Sequence, residues 1–385
     1  MKVSLITPID IKYSYQTAER LIYEWTQFLS ENGFDATVLV PNLPDNPPSL
    51  REDYKEIERH YSNVPKKRIE NPMLHLGLNH KLNLYKGLPK EGTVFFLMSL
   101  YDYLPNVLLR PKGQKYLIGA GGMTVFRDGH VTKYHQLMEG IMNFLLTTFV
   151  LRGKEPQANL FYYVINHRQE NYLLKLGIER SKIFYIPGYV DTKKFLIKKP
   201  YGEKLKVLHI GGKGKNSQLV IDVIKELTAN GEINKFQFSF IGKNQPEELS
   251  EYANKLDNIS CLGTVTDKEK VEELSKSDVL IVPDPEENFA LVMLEGLSSG
   301  LALIVDEWNP VIDELISNGA MAYKGKKDEP KTYLRYLLKL SKMKKNRGFE
   351  KAKRTNREIV VRKFDKDVVL KQVKEMFLKI DESTS

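Results

Sequence analysis

The second half of the chain alternates short apolar runs with longer amphipathic ones, and that alternation restricts the fold more than any other feature. Lys206–Ile210 ends at Gly211 and Gly212, after which Leu219, Val220, Val223, Ile224 and Leu227 recur at helical spacing. Phe236–Ile241 stops at Gly242, and further apolar runs stand at Ile259–Leu262, Asp278–Val282 and Leu301–Val305, with helix-length segments between them. Short runs without polar alternation are the mark of strands buried on both faces, which requires a parallel sheet flanked by helices. The pattern therefore predicts an α/β, doubly wound, Rossmann-like domain.

The first half begins the same way. Lys2–Thr7 is a strand closed by Pro8; Leu21, Ile22, Trp25, Phe28 and Leu29 mark a helix that stops at Gly33; Ala36–Val40 is a second strand closed by Pro41. Asn42–Lys90 is polar, proline-dotted and carries no assignable period. Strands are expected again at Thr93–Met98, at Lys115–Ile118 before Gly119, Gly121 and Gly122, at Asn159–Ile165 and at Lys182–Ile186, with a helix over Gln169–Leu176. The polar, basic stretch Lys193–Lys204, with Pro200 and Gly202, reads as a linker. This predicts a first Rossmann-like domain over 1–195, a second over 205–356, and a terminal helical segment near 357–380 that packs back on the first. Two such domains would face a cleft, with ligands beyond the carboxyl ends of the strands.

Composition removes several classes. A hydrophobic fraction of 42% with 28% charged residues is that of a globular protein. The single cysteine, Cys261, excludes an internal disulfide and fits a reducing compartment. The opening MKVSLITPID lacks the pattern of a secretory signal, and the most apolar stretch, Leu137–Leu151, is interrupted by Glu139, Gly140 and Asn143. A cytoplasmic protein is expected, with peripheral membrane contact allowed. The excess of 58 basic over 49 acidic residues favours anionic partners. The lysines are spread along the chain with no arginine-rich arm, which argues against nucleic acid. The histidines form no metal-ligand spacing, so no metal is expected.

The segment that carries chemistry is Pro283-Asp284-Pro285-Glu286-Glu287-Asn288-Phe289-Ala290-Leu291-Val292-Met293-Leu294-Glu295-Gly296, which follows a strand and opens a helix near Asn288 or Phe289. Glu287 falls just before the helix, where its positive end favours anions and hydroxyl-rich ligands. Glu295 lies eight residues on, roughly 12 Å along the axis, which suits an extended ligand. Glu295 neighbours Leu291, Val292 and Leu294, so its carboxylate needs a partner. Ribose hydroxyls would supply one; a backbone amide or a lysine would serve equally. The second such segment is Gly211-Gly212-Lys213-Gly214-Lys215-Asn216, between a strand and a helix. It fits neither a Walker A loop nor a complete G-x-G-x-x-G fingerprint, since Ser217 stands at the third glycine's place. Preplaced lysines and amides there would stabilise negative charge on a leaving diphosphate.

Glu287 and Glu295 resemble the E-x7-E motif of the retaining, family 4 (group 1) type of GT-B glycosyltransferases. The likeness extends to Asn288–Val292, to Gly300–Ile304, to Glu314-Leu315-Ile316 with Gly319, and to Ile186–Asp191 with Phe195. Gly211–Asn216 is similar to the family's phosphate-side segment, with Lys213 where an arginine is usual. Two departures concern the first domain: the paired glycines of its first loop are replaced by Ile9–Thr17, and Gly119–Gly122 stands where a histidine is common; His130 and His135 follow.

The resemblance implies a GT-B fold and transfer of a sugar from a nucleotide-diphosphate sugar to an acceptor glycan, lipid-linked or protein. It implies retention of configuration and no metal or other cofactor. Glu287 would be catalytic, touching the transferred sugar. Gly212, Lys213, Lys215, Asn288, Phe289, Ala290, Leu291 and Glu295 would bind the donor, with Glu295 on the ribose. The alternative is a catalytically silent GT-B protein that binds a nucleotide sugar or a partner subunit.

Overall fold

The computed structural model describes residues 1–6, 17–41, 54–69, 92–96, 115–119, 159–175, 177–198, 202–211, 215–284 and 291–383. They form two compact units: Met1–Pro187 with Leu370–Ser385, and Gly188–Val369.

The first unit contains β1 (Lys2–Ile6), α1 (Thr17–Glu31), β2 (Asp35–Pro41), α2 (Tyr54–His60) and β3 (Lys66–Ile69). It continues with β4 (Thr93–Phe96), β5 (Lys115–Gly119), β6 (Leu160–Val164), α3 (His167–Lys175) and β7 (Ile183–Tyr185). The strands make a parallel sheet in the order β3-β2-β1-β4-β5-β6-β7. β5 and β6 are buried along their whole length, as their apolar runs predict. In α1, Ile22, Trp25 and Leu29 are buried, and the chain leaves the helix through Gly33 at φ 84°. The stretch without an assignable period holds α2 and β3. β3 is an edge strand reading KKRI whose Lys66, Lys67 and Arg68 are exposed, so no apolar run announces it.

The second unit holds β8 (Leu205–Ile210), α4 (Ser217–Ala229), β9 (Phe236–Ile241), α5 (Glu247–Lys255), β10 (Ile259–Gly263), α6 (Asp267–Lys276) and β11 (Val279–Val282). After these come α7 (Leu291–Ser298), β12 (Ala302–Asp306), α8 (Ile312–Ser317), β13 (Ala322–Gly325), α9 (Pro330–Lys344) and α10 (Arg347–Lys363). The sheet order is β10-β9-β8-β11-β12-β13, all parallel. Alternate residues of the central strands feed two separate cores. Val207, Val279, Ile281, Ala302 and Ile304 pack with α4, α5 and α9 on one face. Leu208, Leu280, Val282, Leu303 and Val305 pack with α6, α7, α8 and α10 on the other. Helices thus cover both faces, the doubly wound arrangement the alternation predicts.

The division falls at Pro187–Gly188, some residues before the predicted linker, because the chain after it is held by the second unit. Val190 N–H donates to the carbonyl of Phe364 at 3.0 Å, and the Thr192 hydroxyl donates to the Asp365 carboxylate at 2.5 Å. Phe195 is buried in the second unit's core. The last helix, α11 (Lys366–Glu382), enters the first unit from Leu370 onward. There Lys115 Nζ donates to the final carbonyls, Ile380 at 2.8 Å and Asp381 at 2.7 Å, a cation capping the negative end of a helix.

Candidate functional site

In the second unit the strand order reverses between β8 and β11. The chain leaves β8 toward β9 on one side and leaves β11 toward β12 on the other, the switch in strand order beside which open α/β sheets bind ligands. Gly211 follows β8, and Pro283-Asp284 follows β11.

The first of these loops starts under tight control. Gly211 N–H donates to the Ile241 carbonyl at 2.8 Å, and Gln245 Nε2 donates to the Gly211 carbonyl. Gly242 lies so close that a Cβ added to it would stand 2.6 Å from the Gly211 carbonyl oxygen, at a φ of 135°. Only glycine fits there. At the other end of the loop Asn216 adopts the left-handed conformation, φ 55°, which asparagine tolerates better than most residues. Its side-chain amide donates to the Pro283 carbonyl at 3.2 Å, while Lys215 Nζ meets the buried Asp284 carboxylate at 2.9 Å. Two consecutive side chains of one loop therefore clamp two consecutive residues of the other. The Lys215 side chain remains about half exposed.

Beneath the loop lies His209, 2% exposed. Its Nδ1 is 3.1 Å from the Ile281 carbonyl and its Nε2 is 2.9 Å from the Ser217 hydroxyl. A carbonyl only accepts, so Nδ1 carries the proton and Nε2 accepts from Ser217. The imidazole thus joins β8 to β11 and to the first residue of α4. Burial pushes its pKa down to about 4, outweighing the Ile281 carbonyl and Asp284, which both pull it up. In the unfolded chain the histidine binds a proton below about 6.5, whereas in the folded protein it does so only near 4. Stability is therefore full above pH 6.5 and falls between 6.5 and 4, by on the order of 3 kcal/mol. Urea unfolding across that window should show this component in the wild type and not in His209→Asn; equal slopes for both would exclude it.

On α7, Glu295 is 7% exposed. Its Oε1 accepts from Lys270 Nζ at 3.0 Å. Lys270 sits in the first turn of α6, which Thr266 and Glu269 fix by a reciprocal capping box. Of the partners foreseen for Glu295, a lysine is present. Among the described residues no group of three His, Cys, Asp or Glu is placed to hold a metal, and no described helix is long and apolar enough to cross a membrane.

No curated protein matches the chain in sequence. Residues 192–358 match the family described as "Glycosyl transferases group 1", a span that begins beside Phe195 and contains both loops, His209, Lys270 and Glu295. Over this segment the chain is similar to the group 1 glycosyltransferases. The whole chain has the GT-B fold. A sucrose-phosphate synthase from Thermosynechococcus elongatus superposes with a TM-score of 0.70 at 13% identity, over 99% of both chains. A glycosyltransferase from Rickettsia africae gives 0.71 at 13%, over 98% of both. HepE of Anabaena, in complex with UDP, gives 0.68 at 11%, over 98% of this chain and 99% of its own.

Of the site residues expected in this segment, Lys215, beside Asp284, and Leu291 and Glu295, on α7, are among the described residues. Leu291 opens that helix as described. Gly212, Lys213, Glu287, Asn288, Phe289 and Ala290 lie outside the described residues. Asp284, His209, Gln245 and Lys270 were not foreseen as parts of the site. A carboxylate directly after the buried strand Val279–Val282 was a readable signal for Asp284. Lys270 is 25 residues from Glu295, and nothing in the spacing links them.

Proposed function

We propose that the chain transfers a hexosyl group from a nucleoside-diphosphate sugar to an acceptor hydroxyl, with the donor lying across the carboxyl ends of β8 and β11. The observation that supports this best is the Lys215–Asp284 pair at the strand-order reversal, which sets a cation where a diphosphate would lie. The UDP of HepE, a protein of the same fold, supports a nucleoside diphosphate as the ligand class.

In the transfer the bond between the sugar's anomeric carbon and the diphosphate oxygen breaks, and a bond to the acceptor oxygen forms. The acceptor's proton passes to the leaving phosphate on the same face, which retains configuration. Charge grows on the diphosphate as the bond breaks, and Lys215, Lys213 and the amides of Gly212 and 289–291 answer it without a metal ion. Glu287 is assigned to the transferred sugar and Glu295 to the ribose hydroxyls, its carboxylate oriented by Lys270. Lipid-linked glycan, protein and small-molecule acceptors all fit this chemistry, and peripheral contact with a membrane fits the first of them.

The test is binding and slow hydrolysis of UDP-, GDP- and ADP-sugars without added metal, in the wild type, Glu287→Ala and Glu295→Ala. One donor should bind and be hydrolysed. Glu295→Ala should weaken binding about 10–100-fold, as expected for losing charge-assisted bonds worth about 1.5–3 kcal/mol; Glu287→Ala should lower turnover. Binding without turnover would favour the silent protein, and no binding to any donor would overturn the proposal.

A further inference from the structure

The basic excess is not evenly spread, as it first reads. Residues 324–363 hold 16 lysines and arginines against 4 aspartates and glutamates, while the rest of the chain holds 42 against 45. The protein's net positive charge thus comes from one segment of the second unit. Part of it is structural: Lys344 and Lys353 are buried against Asp278, and Arg357 holds the carbonyls of Thr192 and Ser298.

Of the remainder, four stand along the outer side of α9. This helix carries Lys331, Arg335, Lys339, Lys342 and Lys344 and no acidic residue. Tyr333, Leu337 and Leu340 point into the core. On the outer side Lys331, Arg335, Lys339 and Lys342 are exposed. Between them runs a groove of about 550 Å3 floored by Leu334, Leu338 and Met343. Two of the cations are braced by aromatic rings: Lys339 Nζ lies 4.9 Å from the Tyr323 ring centre and the Arg335 guanidinium 4.9 Å from that of Tyr336. Such bracing orders a cation while leaving its charge uncancelled.

We propose that this outer face of α9 docks on an anionic phospholipid bilayer, with headgroup phosphates on Lys331, Arg335, Lys339 and Lys342 and the apolar part of one lipid over Leu338 and Met343. Charge complementarity names the occupant's sign, and the groove names its class. A nucleic-acid backbone would use the cations but has nothing to place on an apolar floor, whereas a phospholipid has both parts. The groove is large enough for a bound small molecule. The proposal stands independently of the donor reaction and of its site.

The test is co-sedimentation of the full chain with phosphatidylcholine vesicles containing or lacking phosphatidylglycerol. Each basic residue near an anionic surface strengthens partitioning about fivefold. Lys331→Gln/Arg335→Gln/Lys342→Gln should therefore lose roughly a hundred-fold in partitioning. Lys235→Gln/Lys255→Gln/Lys268→Gln, an equal change of charge at exposed positions of the same unit, should lose a few-fold at most. Leu338→Asn, with every cation in place, should lose several-fold on the same vesicles. Donor hydrolysis in vesicle-free solution should be the same in all of them, which separates this result from a failure of the reaction. Equal losses for the two triple variants, or binding that ignores phosphatidylglycerol, would overturn the proposal. So would tight binding of duplex DNA that the α9 triple abolishes and Leu338→Asn leaves intact.

Discussion

Lys215→Ala is expected to lower turnover by roughly 100–1,000-fold, the usual cost of removing one preorganised charge donor from a developing anion. The side chain is about half exposed and anchored at one oxygen of Asp284, so its loss leaves both cores of the second unit untouched. Its effect should fall on kcat, because the charge it answers is largest as the sugar leaves. Lys215→Arg keeps the charge and can still meet Asp284, and should recover part of the loss. Steady-state rates with the donor found in the hydrolysis panel decide the matter. A variant with unchanged kcat and a raised KM would place Lys215 in ground-state binding only.

The second large effect is on stability, at the opposite end of the same strands. Asp278, just before β11, is 2% exposed and accepts from Lys344 Nζ at 2.7 Å, with Lys353 Nζ at 3.5 Å. It also accepts from the Lys206 N–H at 3.0 Å, which ties the start of β8 to that of β11. Both lysines are nearly buried, at 9% and 3% exposure. One carboxylate thus serves two buried ammonium groups. Asp278→Ala leaves them without it and should cost about 3–5 kcal/mol in urea unfolding. Adding Lys353→Met to Asp278→Ala removes one stranded charge and should restore part of that. A loss below about 1 kcal/mol would mean that the lysines reach water when Asp278 is gone.

The strands of the second half were legible because each is an apolar run stopped by glycine or proline, and burial on both faces leaves no polar residue to blur it. β3 was not, since an exposed edge strand of Lys66, Lys67 and Arg68 looks like a loop. The site divides in the same way. Lys215 and Glu295 stand beside glycines and apolar neighbours that mark them. His209 sits inside a strand where any apolar residue would continue the pattern, and its value lies in reaching Ile281 and Ser217, which only the sheet order brings near. The same holds for Lys270 and Glu295. That Glu295 needs a partner follows from its neighbours; that the partner is Lys270 follows from the packing of α6 beside α7.

The first unit is assembled from two pieces, Met1–Pro187 and Leu370–Ser385, around a second unit that is continuous. During synthesis every residue of the second unit has been joined by Val369, while Lys115 still has no helix end to hold. Domains ordinarily mature in the order in which their chains emerge. Here the half that starts first is finished last, and a released chain cut after residue 369 would carry every residue of the second unit beside a first unit that lacks its closing helix.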